Sequence, residues 1–194
     1  MSFRVVILAS GTGTLADALI QASHQLSYPA RVVGLGVDRP AAATQVARRH
    51  GVATFSVHPA DFASRAEWDG ALADAVAVFK PDLVVSAGFM RILGAPFLKR
   101  FGGRIINTHP ALLPAFPGAH AVCDALAAGV AVTGCTVHAV DAAVDSGPVI
   151  AQREVAVLAD DSEASLHERI KIEERALLVA TVARLAEGEL VLEV

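Results

Sequence analysis

Cysteine is scarce in this chain. Cys123 and Cys135 are its only two, neither belongs to a C-x-x-C pair, and a disulfide framework or thiolate zinc site is not expected. Both are expected to be reduced, buried thiols. The seven histidines offer no better case for metal, because His109, His120 and His138 lack the H-x-x-x-H spacing that sets two rings on one helix face. No metal is expected. Surplus positive charge is missing as well: 16 basic against 20 acidic residues leave a formal charge of -4, which repels a phosphate backbone unless cations cluster. No cluster is visible, so nucleic acid is not an expected partner. Long apolar runs are absent too. The longest, over 125–140, is broken by Gly129, Thr133, Gly134 and His138 and falls short of the roughly 20 residues a spanning helix needs. No membrane partner is expected. There is no internal repeat, low-complexity tract or Gly/Ser linker. Met1-Ser2-Phe3-Arg4 runs straight into an apolar segment, without the charged and apolar regions of a signal peptide. The expectation is one cytoplasmic domain over 1–194, and a homodimer is compatible with it.

What is present is core material, with 54% hydrophobic residues in 194, enough for one substantial domain. An unbroken apolar run over 5–8 ends in Ser10-Gly11-Thr12-Gly13, after which Leu15, Ala18 and Leu19 recur at helical spacing, so strand, glycine turn and helix follow one another. The alternation continues with strands predicted over 31–37, 52–57 and 83–86 and helices over 41–50 and 64–79. Ile105 and Ile106 predict a short buried strand, and 107–118, with three prolines, reads as a loop leaving its end. Two further strands, 133–140 and 148–157, are joined through an Asp145-Ser146-Gly147-Pro148 turn. A last helix from Ser162 to Glu187, stopped by Gly188, precedes a predicted final strand over 190–194. The fold class is α/β: an open, mostly parallel twisted sheet flanked by helices, with a Rossmann-like amino-terminal half.

Gly11-Thr12-Gly13-Thr14 opens a helix after a strand, where backbone N–H groups and the helix dipole can meet a phosphate. The run through Ala16 also fits G-x-G-x-x-A, and Asp38 at the end of the second strand could take a ribose hydroxyl. A nicotinamide-dinucleotide oxidoreductase or sensor is therefore a second reading. Asn107 and His109, two apart on an extended strand end, point the same way. An amide donor beside an imidazole suits acyl-type transfer, one holding an oxyanion and the other moving a proton. Spacing alone favours the plainer reading, Asn107 capping the turn and His109 half-buried beside Pro110, and Asp145 is most cheaply explained as a turn residue. Against His109 its carboxylate would orient the ring and favour imidazolium. Glu174, on the apolar face of the last helix, needs a partner or a ligand.

Asn107-Thr108-His109-Pro110, Leu112-Leu113-Pro114, Pro117-Gly118 and Asp145-x-Gly147-Pro148 together resemble the signature of the folate-dependent formyltransferases. Ala87-Gly88-Phe89-Met90-Arg91-Ile92-Leu93 and the glycine loop narrow the resemblance to members acting in purine synthesis, over nearly the whole chain. The resemblance implies that 10-formyltetrahydrofolate donates its formyl group directly to the amine of phosphoribosylglycinamide, without metal. It implies Asn107, His109 and Asp145 as catalytic. Folate would be met by Arg65, Met90, Arg91, Ile92, Leu93, Asn107, Val140, Asp141, Ala142, Ala143, Val144 and Asp145. Gly11, Thr12, Gly13 and Thr14 would hold the substrate phosphate and Glu174 its ribose. The implied halves are 1–100 for phosphate binding and 101–194 for catalysis and folate. The family's tRNA-acting and hydrolase branches carry an additional domain for which this chain has no room. One departure stands out: the family loop usually reads S-G-x-G-S-N-L, whereas Thr14 here runs directly into Leu15.

Overall fold

The computed structural model describes residues 2–192. Its first strand, β1 (Phe3–Ala9), is fully buried from Val5 to Ala9, as a strand covered on both faces must be. Helix α1 (Thr14–Ser23), β2 (Ala30–Val37), α2 (Ala42–Arg49), β3 (Thr54–Ser56), α3 (Arg65–Ala77), β4 (Leu83–Ser86), α4 (Ala95–Phe101) and β5 (Ile105–His109) follow in the alternation of a parallel sheet. After α5 (Ala121–Ala127) come β6 (Val132–Ala139), β7 (Val149–Ala156) and α6 (Glu163–Ala186). One seven-stranded sheet results, in the order β3-β2-β1-β4-β5-β6-β7. Pairing is parallel from β3 to β5 and antiparallel across β6 and β7. The winding reverses between β1 and β4, where an open α/β sheet leaves a crevice at its carboxyl edge.

Strand alternation deals the side chains to two cores. Val5, Ile7 and Ala9 join Leu19, Ala43, Ile170 and Leu178 of α1, α2 and α6, while Val6 and Leu8 join Trp68, Leu72 and Phe97 of α3 and α4. On β5, Ile106 belongs to the first core and Ile105 to the second. By the same period of two, Thr108 faces α6, whereas Asn107 and His109 face the α3/α4 side.

Several sequence expectations need correction. The segment after Ile106 does not turn into a loop at once: β5 runs on through His109 because β6 pairs with it, Asn107 opposite His138 and His109 opposite Thr136. The prolines act only from Pro110 onward. The strand expected over 52–57 shortens to Thr54–Ser56. Both α4 and α5, seven residues each, were not predicted; so short a helix shows hardly two turns of periodicity. Cys123 lies on α5 and is exposed, while Cys135 is buried as expected. Residues 190–192 form no strand, and the remainder of the predicted last strand, 193–194, lies outside the described residues. Among the described residues no helix is long and apolar enough to cross a membrane.

Candidate active site

Asn107, His109 and Asp145 meet at the carboxyl end of β5. Asp145 comes from the segment joining β6 to β7, which places its Oδ2 3.4 Å from His109 Nδ1. On its other side His109 Nε2 donates to the Phe116 carbonyl at 2.7 Å. Both ring nitrogens thus look onto oxygen acceptors, an arrangement met in full by the imidazolium. Asp145 adopts φ 50, a left-handed conformation tolerated by Asp better than by most side chains, and accepts the Gly118 amide at 2.8 Å. The adjacent His138 ring is the largest influence holding its carboxyl below the usual range; burial opposes it, and the Gly118 amide and His109 add to the lowering. Gly147 in the same segment packs directly on the Ala139 backbone, where a Cβ would fall 1.9 Å from the carbonyl oxygen.

His138 is the member of this cluster that the sequence reading passed over except as a metal ligand. Opposite Asn107 on β6, its Nδ1 donates to the Ala139 carbonyl at 2.9 Å, leaving Nε2 to accept from Asn107 Nδ2 at 3.2 Å. The same Nε2 stands 3.6 Å from Asp145 Oδ1, so it serves one neighbour at a time: the unprotonated nitrogen accepts from the amide, and the protonated one faces the carboxylate as a donor. The signal was present: Thr136 and His138 are polar at period two in a strand that is buried on both faces from Thr133 to Ala139. Thr136 anchors the segment after His109 by donating to the Ala111 carbonyl at 2.6 Å and accepting from Leu113 N at 3.1 Å.

On the opposite face of β5 the glycine loop leads into α1. Gly13, with φ 80, is the N-cap, and no side chain caps the helix, so its first amides are free for an anion. Only glycine fits there, because a Cβ would lie 2.6 Å from Ala43 Cα. Thr12 and Thr14 are exposed. Glu174 of α6 is 5% exposed. Burial pushes its carboxyl up, with Thr108 and nearby cations opposing. The neighbouring Thr108 hydroxyl is buried without a hydrogen-bond partner. A buried carboxylate beside a buried, unpartnered hydroxyl is what a ligand with hydroxyls would complete.

Comparison with known proteins agrees with this geometry. The formyl transferase family pattern matches residues 3–182. The chain belongs to that family. It is 60% identical over 183 residues to the phosphoribosylglycinamide formyltransferase of Mycobacterium tuberculosis, covering 94% of this chain and 85% of that protein. It is 38% identical over 186 residues to the trifunctional purine biosynthetic protein adenosine-3 of Homo sapiens, covering 95% of this chain and 18% of that one. The crystal structure of glycinamide ribonucleotide transformylase 1 from Symbiobacterium toebii superposes with a TM-score of 0.96 at 42% identity, over 99% of this chain and 91% of that one.

The α3/α4 side carries a hollow of about 260 Å³, lined by Pro59, Phe62, Ala63, Ser64, Arg65, Trp68 and Arg91. Two of the residues expected to meet folate, Arg65 and Arg91, share it; Asn107, His109 and Asp145 do not line it. Arg65 stacks over the Trp68 ring at 4.7 Å and is held by Asp69 at 3.1 Å. Met90 and Ile92 are exposed, whereas Leu93 is buried in the core and can support such a site only from beneath. Ala142, Ala143 and Val144 are exposed and Val140 and Asp141 half-buried, while Asp141 bonds Ser146 at 2.9 Å and Ala143 N at 3.0 Å within its own turn.

The dinucleotide reading fails at Asp38. Its carboxylate accepts from Ser10 Oγ at 2.6 Å, Arg39 at 3.0 Å and Arg91 at 2.9 Å, and its side chain is wholly buried. None of it is left for a ribose hydroxyl. Among the described residues no cluster of three His, Cys, Asp or Glu side chains is arranged to hold a metal ion.

Proposed function

We propose that this protein transfers the formyl group of 10-formyltetrahydrofolate to the amine of phosphoribosylglycinamide, giving formylglycinamide ribonucleotide and tetrahydrofolate in purine synthesis. The observation that carries the reading is the convergence of Asn107, His109 and Asp145 at the end of β5 in a formyl transferase. In the reaction the amine nitrogen bonds to the formyl carbon, the bond from that carbon to the folate N10 breaks, and a proton passes from the amine to N10. The Asn107 amide, fixed by His138, would donate to the oxygen as it gains charge. His109 as imidazolium would stabilise the same charge and mediate the proton movement, with Asp145 keeping the ring charged and oriented. A carboxylate and a carbonyl on either side of the ring support that assignment.

The substrate phosphate is assigned to the open amides of Gly11, Thr12, Gly13 and Thr14, and its ribose hydroxyls to Glu174. The folate is assigned to Arg65, Arg91 and the exposed residues Met90 and Ile92, with Leu93 behind them, and to residues 140–145. In this reading residues 1–100 supply phosphate binding and 101–194 catalysis and most of the folate contacts, with no metal required. A cytoplasmic enzyme, assembling as a homodimer, completes the proposal; light scattering in solution reads the assembly.

The test mixes the protein with phosphoribosylglycinamide and a 10-formyl folate and follows release of the deformylated folate by absorbance. His109→Ala and Asn107→Ala should each lower turnover by about two to four orders of magnitude, as loss of a proton-transfer or oxyanion group does. No release by the unaltered protein, with either the natural or the 5,8-dideaza donor, would sink the proposal.

A further inference from the structure

Asp38 sits just past the last paired residue of β2, Val37, and is 1% exposed. Its partners come from segments at the carboxyl edge of the sheet. One carboxylate oxygen accepts from Ser10 Oγ at 2.6 Å, and the other from Arg39 at 3.0 Å and Arg91 at 2.9 Å. The chain of bonds goes one step further, because Ser10 Oγ accepts from Met90 N at 2.9 Å. A buried side chain therefore pins two successive residues of the β4–α4 segment, Met90 by its amide and Arg91 by its guanidinium. Asp69 pins the far end of the segment, accepting from Gly94 N at 3.0 Å. Burial alone would raise the Asp38 carboxyl, but bonds from Arg39, Ser10 and Arg91 hold it below the usual range, so it stays an anion at neutral pH.

The expected cost of this arrangement suggests a purpose. A buried carboxylate shared by two guanidiniums is seldom more stable than an apolar replacement of the same volume. The sheet does not depend on it, since β1 and β2 are paired through Ala9 and Val37 without it. What does depend on it is where Arg91 and the Met90 amide stand, and Arg91 lines the hollow assigned to folate.

We propose that Asp38 is a positioning residue for the formyl donor: it holds Arg91 and, through Ser10, the Met90 amide, so that the folate wall is formed before the donor arrives. The inference rests on the function proposed above. It separates donor binding from chemistry, because Asn107, His109 and Asp145 stand on β5 and the β6–β7 segment. Asp38→Asn keeps the shape but removes the charge that holds two guanidiniums side by side.

The test reads donor binding and turnover separately. Trp68, the chain's only tryptophan, lines the hollow, so its fluorescence reports donor binding without acceptor present. Asp38→Asn should weaken donor Kd and raise donor KM by about tenfold or more, the loss expected of a charge-assisted bond. At the same time kcat and the KM for phosphoribosylglycinamide should hold within about threefold. Arg91→Met should show the same pattern, and the double variant should be little worse than either single change, since both break one interaction. Ser10→Ala, which removes the acceptor for Met90 N, gives a milder donor-specific loss and serves should Asp38→Asn not fold. The inference is overturned by an unchanged donor KM in the folded Asp38 and Ser10 variants. Additive losses in the double variant, or a fall confined to kcat, overturn it equally. Failure of the unaltered protein to transfer formyl groups would instead bring down the proposed function, and this inference with it.

Discussion

Glu174 brings a carboxylate into the face of α6 that packs on the sheet, 5% exposed, with the Thr108 hydroxyl beside it. Burial raises its pKa above the ordinary 4.5, and the direction fixes how stability varies with pH. A group whose folded pKa is raised contributes fully below its unfolded value and loses that contribution as pH rises through the folded one. The protein therefore carries a penalty for this buried carboxyl at neutral pH and escapes it below about pH 4.5, the ordinary value. Glu174→Gln removes the charge and keeps an oxygen able to accept from the Thr108 hydroxyl beside it. It should raise Tm at pH 7, by roughly 2–4 °C for each kcal/mol gained in a domain of this size. The advantage should fade as the buffer is taken to pH 4, while the KM for phosphoribosylglycinamide rises severalfold through loss of the ribose contact, about 1–2 kcal/mol in effect. A thermal melt series across pH decides it: a variant less stable at pH 7, or an advantage independent of pH, would contradict the account. Asp145 behaves oppositely. Its lowered pKa gives stability that is present above 3.8 and lost as pH falls through the folded value.

The β6–β7 segment is the element on which the site depends, and one glycine sets its path. A Cβ on Gly147 would meet the Ala139 carbonyl oxygen at 1.9 Å, while one on Gly70 of α3 meets nothing within 4 Å. Gly147→Ala must therefore push the segment away and carry Asp145 off His109. A displacement of about 1 Å at a reacting centre can cost on the order of a hundredfold in rate, so kcat should fall by about that much while far-UV circular dichroism stays unchanged. Gly70→Ala, by contrast, should leave turnover alone and stabilise α3 by up to about 1 kcal/mol. Equal activity in the two variants would remove the steric argument. At this scale one can also see what the sequence disclosed. The buried strands β1 and β4 were legible as unbroken apolar runs, α1 as a glycine turn with helical spacing, and α6 through its Ser162 cap, because each signal is local. The extension of β5 through His109 was not legible, because it depends on pairing with β6, some 30 residues away. Nor was the role of His138, which follows from standing opposite Asn107 across that pairing. Asp38 was legible as a strand-end carboxylate that could take a ribose hydroxyl, but not its actual donors, which come from Ser10, Arg39 and Arg91.

For the molecule as a whole, the sheet separates two binding tasks. The glycine loop and Glu174 lie on the α1/α6 side and the Arg65–Arg91 hollow on the α3/α4 side, with the end of β5 between them. If the acceptor uses the first and the donor the second, each ligand alone must stabilise the fold, because each binds the native state and not the unfolded chain. At a concentration of about 100 times Kd, such a ligand adds about 2.7 kcal/mol. For a domain of this size that raises Tm by roughly 5–10 °C. Phosphoribosylglycinamide and a non-reactive folate analogue should each produce a shift of that order, and together a larger one than either alone, since both can be bound at once. NADH should produce none, its ribose-binding carboxylate being already engaged by Ser10, Arg39 and Arg91. Mutual exclusion of acceptor and folate would mean that both compete for one side of the sheet, and the division into two faces would fall. A shift with NADH and none with folate would reverse the choice between the two readings that the glycine loop alone could not decide.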